Sequence, residues 1–195
     1  MTSIASLAVI SGFNLNLVLT FALGVEQIHS NVEKPNLGKI LLLWISLFLS
    51  NFAIWLMWTY IFGPLSLGFL GHFLIFPILF LFFLCLESFV SGIFPQLATK
   101  TNGPFQNFSS VALSFASSTM TLLLAAGAAD ALMLSFGFST GAIAAIVLTG
   151  AIDKRITNEK IPAKVRGVPL LLISMGLLSL VFNAAAFVLL NSLQN

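Results

Sequence analysis

Charged residues are scarce in this sequence, and their scarcity excludes a water-soluble fold. Lys, Arg, Asp and Glu make up 7% of the 195 residues, whereas hydrophobic residues make up 58%. Ordinary soluble domains carry about 25% charged residues. The exterior must therefore face lipid, where only helices and closed barrels satisfy their own backbone groups. The apolar runs are far longer than the roughly 10-residue segments of a membrane barrel, so the sequence predicts an all-α integral membrane protein.

Cysteine is nearly absent as well. Cys85 is the single cysteine, which excludes an intramolecular disulfide and a metal cluster held only by cysteines of this chain. The first ten residues contain no Lys or Arg, so they lack the basic region of a cleaved signal peptide, and the first helix is expected to be retained. The sequence contains no glycine-rich phosphate loop, nucleophile–base set or nucleic-acid-binding motif. No catalytic residue is predicted.

Six apolar segments are each close to the roughly 20 residues that cross the hydrocarbon core as a helix. They cover residues 4–25, 39–62, 67–90, 105–129, 131–152 and 168–190. The expected architecture is one six-helix transmembrane domain over residues 1–195, with halves at about 1–95 and 96–195. The boundary between the fourth and fifth segments depends only on Gly127 and Asp130.

The basic residues predict the orientation of the chain. All eight fall in the first, third and fifth loops, and they are Lys34, Lys39, Lys100, Lys154, Arg155, Lys160, Lys164 and Arg166. Loops rich in Lys and Arg remain in the cytoplasm. Six spans then place both termini on the non-cytoplasmic side of the cell (inner) membrane. The basic fifth loop is expected to set orientation and to contact anionic lipid, with docking of a partner as the alternative.

Polar residues interrupt the first and fourth segments, which lie three spans apart. Asn14 and Asn16 belong to the first interruption, and Ser109 and Ser110 belong to the second. Because three spans is an odd number, a repeat of three helices would be inverted, and paired interruptions in inverted repeats mark the midplane site of some transport proteins. The alternative is that these side chains form hydrogen bonds between neighbouring helices.

Two further features are candidates for a role inside the membrane. Glu87 lies near the cytoplasmic end of the third segment. An intramembrane carboxylate suggests ion or proton handling, although a residue so close to the interface can also reach the headgroups. Gly137 and Gly141 form a GxxxG motif that lets two helix backbones approach closely. We expect this motif to pack inside the bundle. His72 has no second ligand at metal-binding spacing, so metal binding is not expected.

Several short runs resemble the membrane subunits of the Rnf/Nqr family. They are residues 16–19 (NLVL) followed by Leu23 and Gly24, residues 61–67 (IFGPLSL), Glu87 in the third helix, and residues 150–156 (GAIDKRI) with 161–167 (IPAKVRG). The likeness extends over nearly the whole chain, and the last two runs are its most specific part. Length, six spans and outside termini favour the RnfA/NqrE branch.

The resemblance implies two inverted three-helix halves and membership of a multisubunit, ion-translocating electron-transfer complex. It also implies a related six-helix partner, with an iron–sulfur cluster held by cysteines from helices one and four of both subunits. In this chain the corresponding positions, at about Val25–Glu26 and Ser109–Val111, hold no cysteine. We therefore predict no iron–sulfur cluster and no other cofactor.

Two functions remain as expectations. The first is an integral membrane subunit of an Rnf/Nqr-like complex that lacks its own redox centre and is at most a non-catalytic subunit of a membrane oxidoreductase. The second is a small transporter component that binds a solute between its helical halves. The expected partners are the lipid bilayer, a related six-helix subunit and other membrane-complex subunits, without nucleic acid.

Overall fold

The computed structural model describes residues 4–23, 37–65, 71, 73–82, 85, 108–158 and 168–194. Every secondary-structure element within these residues is helical, and they contain no strand. The all-α prediction is therefore confirmed for the part of the chain that is described.

The first apolar segment is broken as its polar residues predict. Helix α1 covers Ile4–Val9 and continues as a π-helical turn over Ile10–Asn14. The turn ends where the N–H of Leu15 donates to the carbonyl of Ile10 at 2.8 Å. Helix α2 then covers Leu17–Phe21. The break arises because asparagine and glycine are weak helix formers and the asparagine side chain competes for backbone hydrogen bonds.

The next described helices are strongly apolar. Helix α3 covers Leu37–Met57 and also ends in a π-helical turn, over Trp58–Phe62. Helix α4 includes the apolar stretch Phe73–Phe82. Single-turn π-helices are rare and are often found at functional positions, so the two within the described residues make the ends of α1 and α3 distinctive.

The break between the fourth and fifth segments includes Gly127, one of the two residues on which the predicted boundary depended, but both helix ends differ from the expected limits. Helix α5 covers Phe108–Leu124 and helix α6 covers Ala128–Asn158. The predicted limits of 129 and 131 were wrong because Asp130, the other residue, lies within the helix and does not end it. Asp130 lies in the first turn of α6, where a carboxylate interacts favourably with the helix dipole.

The C-terminal end of α6 also lies further along the chain than expected. We placed Lys154 and Arg155 in the fifth loop, but both lie on α6, which continues to Asn158. Cations near a helix C-terminus are stabilised by the helix dipole, which explains why the helix extends into the basic sequence. The remaining residues of that basic cluster, Lys160, Lys164 and Arg166, lie outside the described residues.

Among the described residues, three helices are long and apolar enough to cross a membrane. Their apolar stretches are Ile40–Phe62 in α3, Ala128–Arg155 in α6 and Pro169–Leu193 in α7, the last helix, which covers Val168–Gln194. Shorter apolar helices cover Ala5–Phe21, Phe73–Phe82 and Val111–Leu124. These lengths are compatible with a membrane protein, and six spans, outside termini and an inverted repeat remain predictions.

The core is built around α6. Helices α3, α5 and α6 pack pairwise against one another, and α1 with its π-helical turn packs on α6 and α7. Burial follows this arrangement, because 56% of the apolar span of α6 is buried against 22% of that of α7. Helix α6 is thus the central element, and α7 presents most of its surface to the surroundings.

Candidate functional site

Three glycines bring the broken first segment into direct backbone contact with α6. Gly12 lies in the π-helical turn, and Gly137 and Gly141 lie one helical turn apart on α6. A Cβ atom built on Gly141 would lie 2.7 Å from the Cα of Gly12, and one built on Gly137 would lie 3.0 Å from the Cα of Ala8. Real Cβ atoms almost never approach so closely, so no other residue fits without moving the backbone. We call Gly12, Gly137 and Gly141 the glycine contact.

Asn16 links the break to α6 by hydrogen bonds. Its Nδ2 donates to the carbonyl of Gly141 at 2.8 Å and to that of Gly12 at 3.0 Å, and its Oδ1 accepts from the N–H of Leu19 at 3.3 Å. The side chain is 3% exposed. Asn16 is therefore the N-cap of α2 and satisfies backbone groups that the break would otherwise leave unpaired. Both ends of its amide are occupied by the protein itself. Asn14, by contrast, is exposed.

A second polar group lies between α3 and α5. Its members are all buried, and we call them the α3–α5 polar cluster: Ser50, Asn51, Ser114, Ser117 and Ser118. The hydroxyls of Ser50 and Ser114 share a hydrogen bond of 2.7 Å. Ser117 Oγ and Ser118 Oγ donate to Asn51 Oδ1 at 2.7 and 2.9 Å. Every interaction in the cluster is between neutral groups.

One amide nitrogen in this cluster has no partner. Asn51 is 0% exposed, and its Nδ2 forms no hydrogen bond. Within the described ranges the same is true of one other buried side-chain atom, Ser135 Oγ on α6. Leaving a buried donor unsatisfied costs about 1–3 kcal/mol, and buried polar atoms in proteins are nearly always paired. This unmet donor makes the cluster the strongest candidate site in the described residues.

Most other buried hydroxyls are satisfied by their own helix. Thr149 Oγ1 donates to the carbonyl of Ala145 at 2.6 Å, and Ser139 Oγ donates to that of Ser135 at 2.7 Å. Thr121 Oγ1 donates to the carbonyl of Ser117 at 2.8 Å. Such bonds to the preceding turn allow Ser and Thr to lie in an apolar interior. They need no ligand.

The predicted site residues are distributed over several parts of the chain. Ser109 and Ser110 lie at the start of α5, which is unbroken from Phe108 to Leu124, so the described part of the fourth segment contains no interruption. Glu87 lies outside the described residues. Lys154 and Arg155 are exposed on α6, and Cys85 is exposed.

The α3–α5 polar cluster was not predicted from the sequence. A usable signal was present, because the serines at 114, 117 and 118 and Thr121 recur at helical spacing on one face of α5. The neighbouring pair Ser50 and Asn51 lies in the middle of an apolar run, where a polar pair must find partners on another helix or in its own backbone. Asp153, buried at the C-terminal end of α6, was also missed because it was placed in a loop.

The chemistry that these residues offer is uncharged hydrogen bonding. Within the described ranges no group of three or more His, Cys, Asp or Glu side chains could hold a metal ion. The glycine contact supplies close packing, and the α3–α5 polar cluster supplies hydroxyl groups and one amide donor. No protein-family model matches this sequence, and no curated protein matches it significantly.

Proposed function

We propose that this chain is an integral membrane subunit of an ion-translocating electron-transport complex resembling the Rnf/Nqr type, without a redox centre of its own. The observation that carries the proposal is the buried break in the first helix. Residues 16–19, one of the runs on which the resemblance depends, form the N-cap and first turn of α2. Leu17, Val18 and Leu19 are all buried in the hydrophobic core, so this run has a structural role there.

The amino-acid composition supports a subunit without its own cluster. Iron–sulfur clusters are usually held by four thiolates, and this sequence contains one cysteine, Cys85. Any such cluster in the complex would take most of its ligands from other chains. The exposed apolar surface of α7 supports assembly with lipid or with a neighbouring subunit, since 22% of its apolar span is buried within the chain.

Affinity purification from native membranes in mild detergent tests the proposal. We expect flavin-carrying and ferredoxin-like subunits, together with a second six-helix membrane protein, to co-purify in stoichiometric amounts. The Gly141→Leu variant, which disrupts the glycine contact inside the chain, is the misfolded control and identifies proteins that are retained non-specifically. Isolation of the wild-type chain alone, under conditions in which other membrane complexes remain intact, would contradict the proposal.

The orientation of the chain gives a separate test. A reporter fused to the C-terminus should be active on the non-cytoplasmic side, because the basic residues of the predicted first, third and fifth loops remain in the cytoplasm. A fusion at residue 160, in the basic cluster, is the matched cytoplasmic control. A cytoplasmic C-terminus in a folded fusion would rule out six spans with outside termini.

Glu87 is the residue proposed for an ion path, because an acidic side chain in a span is costly unless it serves a function. Glu87→Gln should abolish ion translocation by the complex while leaving expression and assembly unchanged. Glu26→Gln, at the end of the first predicted span, is the control and should retain activity. Full activity of the Glu87→Gln complex would assign Glu87 to the interface.

A small transporter component is the second candidate, and the buried, uncharged α3–α5 polar cluster between the two predicted halves favours it. Neutral hydroxyl and amide groups between helices are suitable contacts for a small neutral solute, which would displace water from them. A transporter component should co-purify with an ATPase or a coupling protein instead of redox subunits. The same purification therefore separates the two functions.

A further inference from the structure

The α3–α5 polar cluster contains a hydrogen-bonding requirement that the described residues do not meet. Asn51 Nδ2 carries two N–H donors, is fully buried and has no partner. Its Oδ1 already accepts from Ser117 and Ser118. The atom that remains must meet an acceptor, because a buried amide without one is strongly disfavoured.

Exchanging the two ends of the amide does not remove the requirement. The nitrogen would then face Ser117 Oγ and Ser118 Oγ, and the oxygen would be the atom without a donor. Ser117 Oγ also lies 3.1 Å from the carbonyl of Ser114, so its proton has another acceptor. In either orientation one amide atom is left for a small molecule that can both donate and accept.

We propose that Asn51 and the α3–α5 polar cluster bind an internal water molecule, which accepts a hydrogen bond from Asn51 Nδ2. Water is the smallest molecule that fits both orientations of the amide, and buried waters typically form two to four hydrogen bonds with otherwise unsatisfied groups. The proposed water site does not depend on which of the two candidate functions is correct, because it requires only the packing of α3 against α5.

Other ligands fit the chemistry less well. A cation is repelled by N–H donors, and a multivalent anion needs positive charge to offset the loss of its hydration. Lys154 and Arg155, the basic residues of α6, are exposed. A large solute is opposed by the 2.7 Å contact between Ser50 Oγ and Ser114 Oγ, which holds α3 and α5 together beside Asn51. A halide ion is the remaining competitor.

X-ray radiolytic footprinting of the purified full chain in H₂¹⁸O tests the proposal. Radiolysis of a bound water oxidises the nearest reactive side chain even when that side chain is buried. Trp55 lies one turn beyond Asn51 on the same face of α3 and is 7% exposed. After each labelling rate is divided by the intrinsic reactivity of the side chain with hydroxyl radical, we expect Trp55 to gain ¹⁸O label several times faster than Phe182, which is also 7% exposed and lies on α7.

Variants assign the label to the cluster. Asn51→Leu should lose most of the label at Trp55, and Ser46→Ala should keep it, because Ser46 Oγ is satisfied by the carbonyl of Leu43 at 2.8 Å. If Asn51→Leu does not fold, Asn51→Ser replaces it, and its shorter side chain admits more water and should increase the label.

Three outcomes would overturn the proposal. The first is a wild-type Trp55 whose labelling rate, corrected for intrinsic reactivity, is no higher than that of Phe182. The second is unchanged label in Asn51→Leu or a decrease in Asn51→Ser. The third is loss of wild-type label on addition of sodium chloride but not of sodium sulfate at the same ionic strength and neutral pH, which would assign the site to a halide ion instead of water.

Discussion

The broken first segment and helix α3 are both joined to neighbouring helices through polar or small residues, but by different physical means. The first segment meets α6 at the glycine contact, where backbone approaches backbone. Helix α3 meets α5 through the α3–α5 polar cluster, where side chains meet side chains. Because lipid tails are as apolar as leucine, helices in membranes associate through close packing and hydrogen bonds. In this chain close packing dominates at the first contact, where Asn16 adds a hydrogen bond to Gly141, and hydrogen bonds dominate at the second.

The difference predicts how each contact responds to mutation. Close backbone packing fails when a single methyl group is added, because neither backbone can move independently. A hydrogen-bonded cluster weakens in steps, because hydroxyl groups that lose one partner can turn to the carbonyl of their own helix. The glycine contact should therefore be sensitive to single substitutions, and the α3–α5 polar cluster should be tolerant.

The largest effect is expected at the glycine contact. The added Cβ of Gly141→Ala would overlap the backbone of Gly12, with 2.7 Å to its Cα. We expect a loss of about 3 kcal/mol in the free energy of unfolding, at the upper end of the usual cost of overpacking. Unfolding in mixed micelles with increasing denaturing detergent measures it. A loss below that of the Ser118→Ala variant would show that the backbones separate easily.

The next largest effect is expected at Asn16, whose side chain donates hydrogen bonds to the carbonyls of Gly12 and Gly141, one on each side of the glycine contact. Asn16→Ala removes the bonds to Gly141 and Gly12 and the N-cap of α2. We expect a loss of about 2 kcal/mol, since a lost cap costs roughly 1 kcal/mol and orphaned carbonyls add to it. Asn183→Ala is the control, because Asn183 is exposed and donates only to the carbonyl of Ser179. Equal losses in the two variants would contradict the role of Asn16.

The sequence predicts these contacts unequally. The break at residues 11–16 was predicted, and the break at residues 125–127 was predicted to within a few residues, because glycine and asparagine disfavour helix locally and local preference needs no knowledge of the fold. The α3–α5 polar cluster was not predicted, because Asn51 and Ser117 are 66 residues apart. Hydrophobic pattern does not indicate which serine faces a partner helix and which bonds to its own backbone. The C-terminal end of α6 was missed because charged residues were assigned to a loop.

A smaller effect is expected in the α3–α5 polar cluster. Ser117→Ala and Ser118→Ala each remove one of the two donors to Asn51 Oδ1. Hydrogen bonds between membrane helices average about 0.6 kcal/mol, so each variant should lose about that amount. The double variant leaves Oδ1 without a donor and should lose more than the sum, which a double-mutant cycle measures. Strict additivity would mean that the two hydroxyls act independently of Asn51.

The smallest effect on the isolated chain is expected at Gly176, a glycine in the middle of α7 that is unlike those of the glycine contact. A Cβ atom built on it meets no atom within 4 Å, and the residue is exposed. Gly176→Ala should raise the free energy of unfolding by about 0.4 kcal/mol, the lower end of the usual gain, because alanine favours helix more than glycine does. Detergent unfolding measures this on the purified chain, and a loss of stability would show that α7 packs more closely within the chain than its exposure indicates.

The same variant also tests whether this face of α7 contacts lipid or a partner subunit. If α7 faces lipid, Gly176→Ala should leave the amount of co-purifying subunits unchanged. If a second helix packs on Gly176 as α6 packs on Gly12, the variant should reduce co-purification while the isolated chain stays as stable as the wild type or more so.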